Sequence, residues 1–173
     1  MADAVRAVFA GTFDPPHRGH LDLIERGSRF VDELIVAVAI NRDKQCALTA
    51  EERLALLKIC TATLPKVRVV SFEGLVVDLA AQEDARFLLR GARSSRDYEA
   101  EAQMADTNRQ LLRDGPTAPP REIETLLLCT RPELAHITSS RIREVAGFGG
   151  EVRPFLPEVV ADRIAKSLPA ATS

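Results

Sequence analysis

The stretch Val5–His20 reads VRAVFAGTFDPPHRGH, and its three parts set the architecture. Val5–Ala10 is an apolar run of strand length that stops at Gly11. From His20 to Phe30, HLDLIERGSRF, the spacing is helical, with Leu21, Ile24 and Phe30 on one face. Between the two lies a turn rich in glycine, proline and histidine. A strand that turns straight into a helix is the repeating unit of a sheet covered by helices.

The same alternation continues outward. Glu33–Ile40, ELIVAVAI, is nearly all apolar, as a parallel strand buried on both faces must be. Thr49 followed three residues later by Glu52 carries the signature of a reciprocal N-terminal cap, opening a helix to about Thr61. Val67–Phe72 reads as a strand, Val76–Ala81 as a helix, and Arg86–Leu89 as a short strand running into Arg90-Gly91. Tyr98–Leu112 has the composition of a long helix, and Glu124–Cys129 is the fifth strand. Ser139–Ala146 and Pro157–Leu168 follow as helices, with Pro157 in the favoured first turn. The pattern predicts an α/β fold: a Rossmann-like, doubly wound, five-stranded parallel sheet with C-terminal helices. One domain is expected over residues 1–168, with a frayed tail at 169–173. Gly115–Arg121, GPTAPPR, holds three prolines and reads as a surface loop.

Composition narrows the function classes. The chain has 173 residues, enough for a real core without staples. Net charge is -2, so a broad basic face for nucleic acid is not expected. The three cysteines, Cys46, Cys60 and Cys129, are scattered and form no CxxC pair, which points to reduced thiols and a cytoplasmic protein. No apolar run approaches the length of a membrane span, and the first residues do not read as a signal peptide.

Parallel sheets of this kind bind ligands at the carboxyl ends of their strands. The first such loop, Gly11–His20, opens a helix whose free N–H groups and dipole favour an anion. Two histidines and an arginine beside that end make it a phosphate-site candidate. A zinc site from His17 and His20 lacks evident third and fourth ligands. Arg90 and Arg93 stand three apart on the exit of the fourth strand, and a guanidinium is a natural fork for phosphate oxygens. Lys44 follows the second strand. Thr138, Ser139 and Ser140 precede a helix, where they can cap it, face a phosphate, or do both.

His17-Arg18-Gly19-His20 resembles the HxGH signature of the nucleotidyltransferase superfamily. Further on come Arg90-Gly91-Ala92-Arg93, Asp97-Tyr98-Glu99-Ala100-Glu101, Gln103-Met104-Ala105 and Asn108-Arg109. Ile137–Ala146, Gly149-Gly150-Glu151-Val152 and Phe155-Leu156-Pro157 complete the run. In this order the motifs resemble bacterial phosphopantetheine adenylyltransferases over about Val5 to Leu168. The resemblance implies transfer of the adenylyl group of ATP to 4′-phosphopantetheine, giving 3′-dephospho-CoA and pyrophosphate. It implies His20 as transition-state stabiliser, with Lys44 and Arg93 also catalytic. ATP would lie against Thr12, Phe13, His20, Gly91, Ala92, Arg93, Glu101 and the stretch Leu134, Ala135, His136, Ile137, Thr138, Ser139 and Ser140. His136 within that stretch is not read as catalytic. The acceptor would lie against Thr12, Lys44, Val76 and Arg90. Mg²⁺ would come with ATP and take no protein side chain as ligand. A cytoplasmic homohexamer inhibited by coenzyme A is also implied.

Several residues depart from that family's pattern. His17 stands where most members have threonine, and Gln45-Cys46-Ala47-Leu48 lacks the usual proline and phenylalanine. Thr138 replaces a serine, Arg141 is unusual, and Gly115–Arg121 reads as an insertion. These positions bear on acceptor choice. Two other readings therefore stay open: the same chemistry on nicotinate mononucleotide or glycerol phosphate, and a nucleotide-binding sensor without turnover.

Overall fold

The computed structural model describes residues 4–41, 45–114 and 122–167. Five strands form one sheet: β1 (Arg6–Gly11), β2 (Glu33–Ala39), β3 (Val67–Phe72), β4 (Phe87–Ala92) and β5 (Glu124–Cys129). The helices are α1 (Arg18–Gly27), α2 (Ala50–Cys60), α3 (Val76–Gln82), α4 (Ser95–Asp114), α5 (Ser139–Gly147) and α6 (Glu158–Ser167). Strand order is β3-β2-β1-β4-β5, and every pair is parallel. The chain therefore winds outward from β1 to β3, then returns to the other side of β1 with β4. That reversal lies between β1 and β4, and it leaves a crevice at their carboxyl ends.

Burial follows the strand period. Along β2, Leu34, Val36 and Val38 enter one core with Ala7, Phe9, Ile24 and Leu57. Ile35 and Ala37 enter the opposite core with Val8, Val77, Ala80 and Leu88. Both faces of β2 are thus covered, which is why its sequence shows no polar alternation. Removing Leu34, which is fully buried, would cost about 2–5 kcal/mol. A third cluster joins Leu48 and Leu56 to Ile142, Leu156, Val160 and Ile164, fixing α5 and α6 against α2.

The structure redraws some expected boundaries. α1 begins at Arg18 and ends at Gly27, so Phe30 lies beyond it and is 70% exposed rather than on the buried face. The Ser28 hydroxyl donates to the Glu25 carbonyl at 2.8 Å and closes the helix. β4 does not stop at Leu89. It pairs on through Arg90↔Leu127, Gly91↔Leu128 and Ala92↔Cys129, which puts Arg90 inside the strand rather than on its exit loop. Gly91 allows this strand to pass under α1, since a Cβ there would lie 2.4 Å from the Leu23 side chain. Pro157 precedes α6, and its carbonyl accepts the Val160 and Ala161 amides at 3.0 and 2.9 Å. Lys44, the Gly115–Arg121 stretch and the tail 169–173 lie outside the described residues.

Candidate active site

A cleft of about 710 Å³ opens at the carboxyl ends of β1 and β4. Its wall includes Thr12, Phe13, His17 and His20 from the loop and helix after β1, and Arg90, Gly91 and Arg93 from β4 and its exit. The topological reversal thus brings together two segments some seventy residues apart in the chain.

The two histidines lock each other. His17 is the N-cap of α1 and His20 its third residue. The His20 amide donates to His17 Nδ1 at 3.3 Å, and the His17 amide donates to His20 Nδ1 at 3.3 Å. This is a capping box with imidazoles in place of the usual Ser and Glu. An Nδ1 that accepts carries no proton, so each neutral ring holds its proton on Nε2. The rings stack at 3.6 Å, and Phe13 presents an edge to His20 at 4.9 Å. A Cβ at residue 19 would lie 3.2 Å from the His17 ring, so glycine there leaves the stack room. Burial, helped by the positive Arg93, pushes the His17 pKa down to about 4. Burial, then His17 and Arg93, also holds His20 well below its ordinary value. At neutral pH both rings are uncharged Nε2–H donors.

The arginines are held from behind. Arg90 pairs with Glu101 of α4 through two bonds, Nε to Oε2 at 2.6 Å and Nη2 to Oε1 at 2.9 Å. Its Nη1 donates to the Ala10 carbonyl at 3.0 Å. Arg93 donates from Nε to Asp97 at 2.7 Å. A guanidinium has five N–H groups, so each arginine keeps donors for an anion.

α5 supplies a third wall. Thr138 caps it, accepting the Arg141 amide at 3.1 Å, while Ser139 donates its hydroxyl to the Pro15 carbonyl at 3.0 Å. Ser139 therefore ties α5 to the loop after β1, a contact its spacing did not suggest. Leu134, Ile137, Thr138, Ser139 and Ser140 all line the cleft, as do Val76 and Glu101. Ala92, Ala135 and His136 are not on its wall. Ala92 accepts the Thr130 amide at 2.9 Å as part of the sheet, and the exposed His136 sets its ring edge against Phe155 at 5.7 Å.

Residues assigned no site role from the sequence also line the cleft. On α4, Glu101 is followed by Met104, Asn108 and Leu111, spaced three, four and three apart. That spacing is a helical stripe and was readable as one. Phe72, Leu75, Met104 and Leu111 give this side of the cleft an apolar wall. Its other walls carry imidazoles, guanidiniums and hydroxyls. One cleft thus offers polar donors for an anion and an apolar surface for an uncharged arm. Among the described residues no group of three metal-ligating side chains occurs, and no helix is long and apolar enough to cross a membrane.

Residues 8–145 match the Cytidylyltransferase-like family model. A phosphopantetheine adenylyltransferase of a Synechococcus species is 46% identical over 157 residues, covering 91% of this chain and 90% of its own length. That of Thiobacillus denitrificans is 42% identical over 162 residues, covering 94% and 96%. That of Symbiobacterium thermophilum is 43% identical over 169 residues, covering 95% and 99%.

Proposed function

The chain belongs to the phosphopantetheine adenylyltransferase family, and from that premise we propose that it joins the adenylyl group of ATP to 4′-phosphopantetheine. The products are 3′-dephospho-CoA and pyrophosphate, a step of coenzyme A biosynthesis. An oxygen of the acceptor phosphate attacks the α-phosphorus of ATP. The bond from that phosphorus to the bridging oxygen breaks, and pyrophosphate leaves opposite. No side chain becomes covalently bound. The enzyme's task is to align the two phosphates and stabilise the charge that gathers between them.

The observation that carries this reading is the His20 ring: uncharged, with Nδ1 occupied, and lining the same cleft as Arg90 and Arg93. In the proposal its Nε2–H donates to an α-phosphate oxygen as charge develops there. Arg93 meets the ATP phosphates, and Arg90 with Lys44 meets the acceptor phosphate. Thr12, Phe13, Gly91, Glu101, Leu134 and residues 137–140 take the rest of ATP, while Ala92, Ala135 and His136, which lie off the cleft wall, are left out of the site. Val76 takes the pantetheine arm, with the apolar stripe of α4 beside it. Mg²⁺ would arrive on the triphosphate and neutralise part of its charge. The nearby carboxylates support that reading, since Glu101 and Asp97 are already paired with arginines. Homohexameric assembly, feedback by coenzyme A and a cytoplasmic location belong to the same proposal, and light scattering reads the first.

An acceptor panel with pyrophosphate detection tests it. Turnover is expected with 4′-phosphopantetheine and not with nicotinate mononucleotide or glycerol phosphate. Pyrophosphate from one of the latter alone would move the chain to another acceptor, as His17 in the loop would allow. ATP binding by calorimetry with no pyrophosphate from any acceptor would make it a sensor.

A further inference from the structure

We propose that Arg53 and Arg143 are positioning residues that clamp the carbonyls on either side of Phe13 and thereby hold the wall on which His20 rests. Neither arginine lines the cleft.

Arg53 lies in α2 and is only 4% exposed. Its Nη1 donates to the Thr12 carbonyl at 2.6 Å and to the Ala39 carbonyl at 3.1 Å, and its Nε to the Thr49 carbonyl at 3.3 Å. One guanidinium therefore joins the exits of β1 and β2 to the start of α2. Burying a cation is costly unless its donors are satisfied, so a surface role is ruled out. Arg143 lies in α5 and donates to the Asp14 carbonyl, with the Asp14 carboxylate 3.5 Å away. That carboxylate, 3% exposed, also accepts the Ala47 and Leu48 amides, each at 2.9 Å.

Between the two clamped carbonyls sits Phe13, with φ at 52°. A side chain in the left-handed region costs about 1–2 kcal/mol and persists only where its surroundings impose it. The imposed turn drives the Phe13 ring inward, where it is 2% exposed. There it meets His20 edge-on at 4.9 Å and Phe9 at 5.6 Å. His20 is thus gripped between two rings: His17, fixed by the capping box, and Phe13, fixed by the arginines. Loosening either arginine should let Phe13 relax and the imidazole shift. A displacement of a catalytic group by as little as about 1 Å can cost roughly 100-fold in rate.

The rate readout rests on the function proposed above; the spectroscopic one does not. Arg53→Lys, Arg143→Gln and the control Arg153→Gln would be made. Arg153 pairs with Asp162 on the surface, each side chain more than half exposed. Histidine nitrogen spectra of the unliganded proteins report the tautomer and environment of His20. The first two variants should shift or broaden the His20 signals, and the control should not. In the adenylyl-transfer assay they should lower kcat roughly 10- to 100-fold with KM for ATP nearly unchanged. If Arg53→Lys fails to fold, Arg143→Gln, whose side chain is partly exposed, carries the test alone. A lowered melting temperature with His20 signals and kcat like the parent's would overturn the proposal. Parent protein that makes no pyrophosphate would instead defeat the function, leaving the spectra to decide the clamp.

Discussion

The two ends of the sheet carry the same chemistry with different outcomes. At the amino end, Arg6 and Arg68 face Glu33, Glu83 and Asp84. Two cations meet three carboxylates, and Arg68 bonds Glu33 at 2.7 Å and Glu83 at 2.6 Å. The cluster closes on itself at the surface and holds no imidazole. At the carboxyl end, Arg90 and Arg93 have one carboxylate each among the described residues and stand beside two imidazoles, His17 buried and His20 partly buried. The remaining donors there face a cleft instead of another carboxylate. Pairing alone is therefore not the mark of a site. What distinguishes the two ends is incomplete pairing next to a cavity and next to neutral donors.

The contrast can be broken most directly at His20. His20→Ala should lower kcat by roughly 100- to 1,000-fold, the usual loss for one transition-state donor. ATP affinity by calorimetry should hardly change, because the interaction belongs to the transition state. Equal losses in rate and affinity would make the carboxyl end an ordinary binding surface.

Acid sharpens the comparison next. His17 ionises at about 4 in the folded protein against its ordinary 6.5. Between those values the unfolded chain takes a proton that the native ring refuses. Stability is therefore full above about pH 6.5 and falls as pH drops toward 4, by roughly 3 kcal/mol from this group. His20 acts in the same direction. Urea denaturation at a series of pH values reads the slope, and His17→Asn should flatten it. A variant as acid-sensitive as the parent would show that His17 does not set this dependence.

Arg90 comes third. Arg90→Gln should weaken 4′-phosphopantetheine binding by about 1.5–3 kcal/mol, the range for hydrogen bonds to charged groups. The effect should be much smaller for the dephosphorylated compound. Loss of both alike would mean that Arg90 serves only to tie β4 to α4.

The smallest effect is expected at the other end. Arg68→Ala should cost less than about 1 kcal/mol, diminish further in high salt, and leave kcat alone. A rate defect there would show that the two ends are coupled through the sheet.

Much of this was legible in the sequence. The bounds of β3 and β5 follow from their apolar runs. The Thr49–Glu52 box forms as its spacing implies, with Thr49 N to Glu52 at 2.9 Å and Glu52 N to Thr49 at 3.2 Å. The strand-exit loops did converge, placing His20 and Arg93 on one cleft. Other features left no local mark. Arg90-Gly91-Ala92 shows no strand pattern, and it is extended because β5 pairs with it. His17 and His20 have the spacing of a capping box, but imidazoles are not the residues that spacing normally signals. Arg53 follows two glutamates with no local mark of burial, yet it is buried.

The sequence by itself determined the order of strands and helices and the chemical character of each loop, because periodicity and turn residues act over a few positions. Only the tertiary structure decided which charges are neutralised and which donors remain. Asp14 meets Arg143 across 129 positions, and Arg90 reaches the Ala10 carbonyl across 80. Burial, which strips the histidines of charge and makes Arg53 a brace, depends on everything that surrounds a side chain. No short window of residues holds that information.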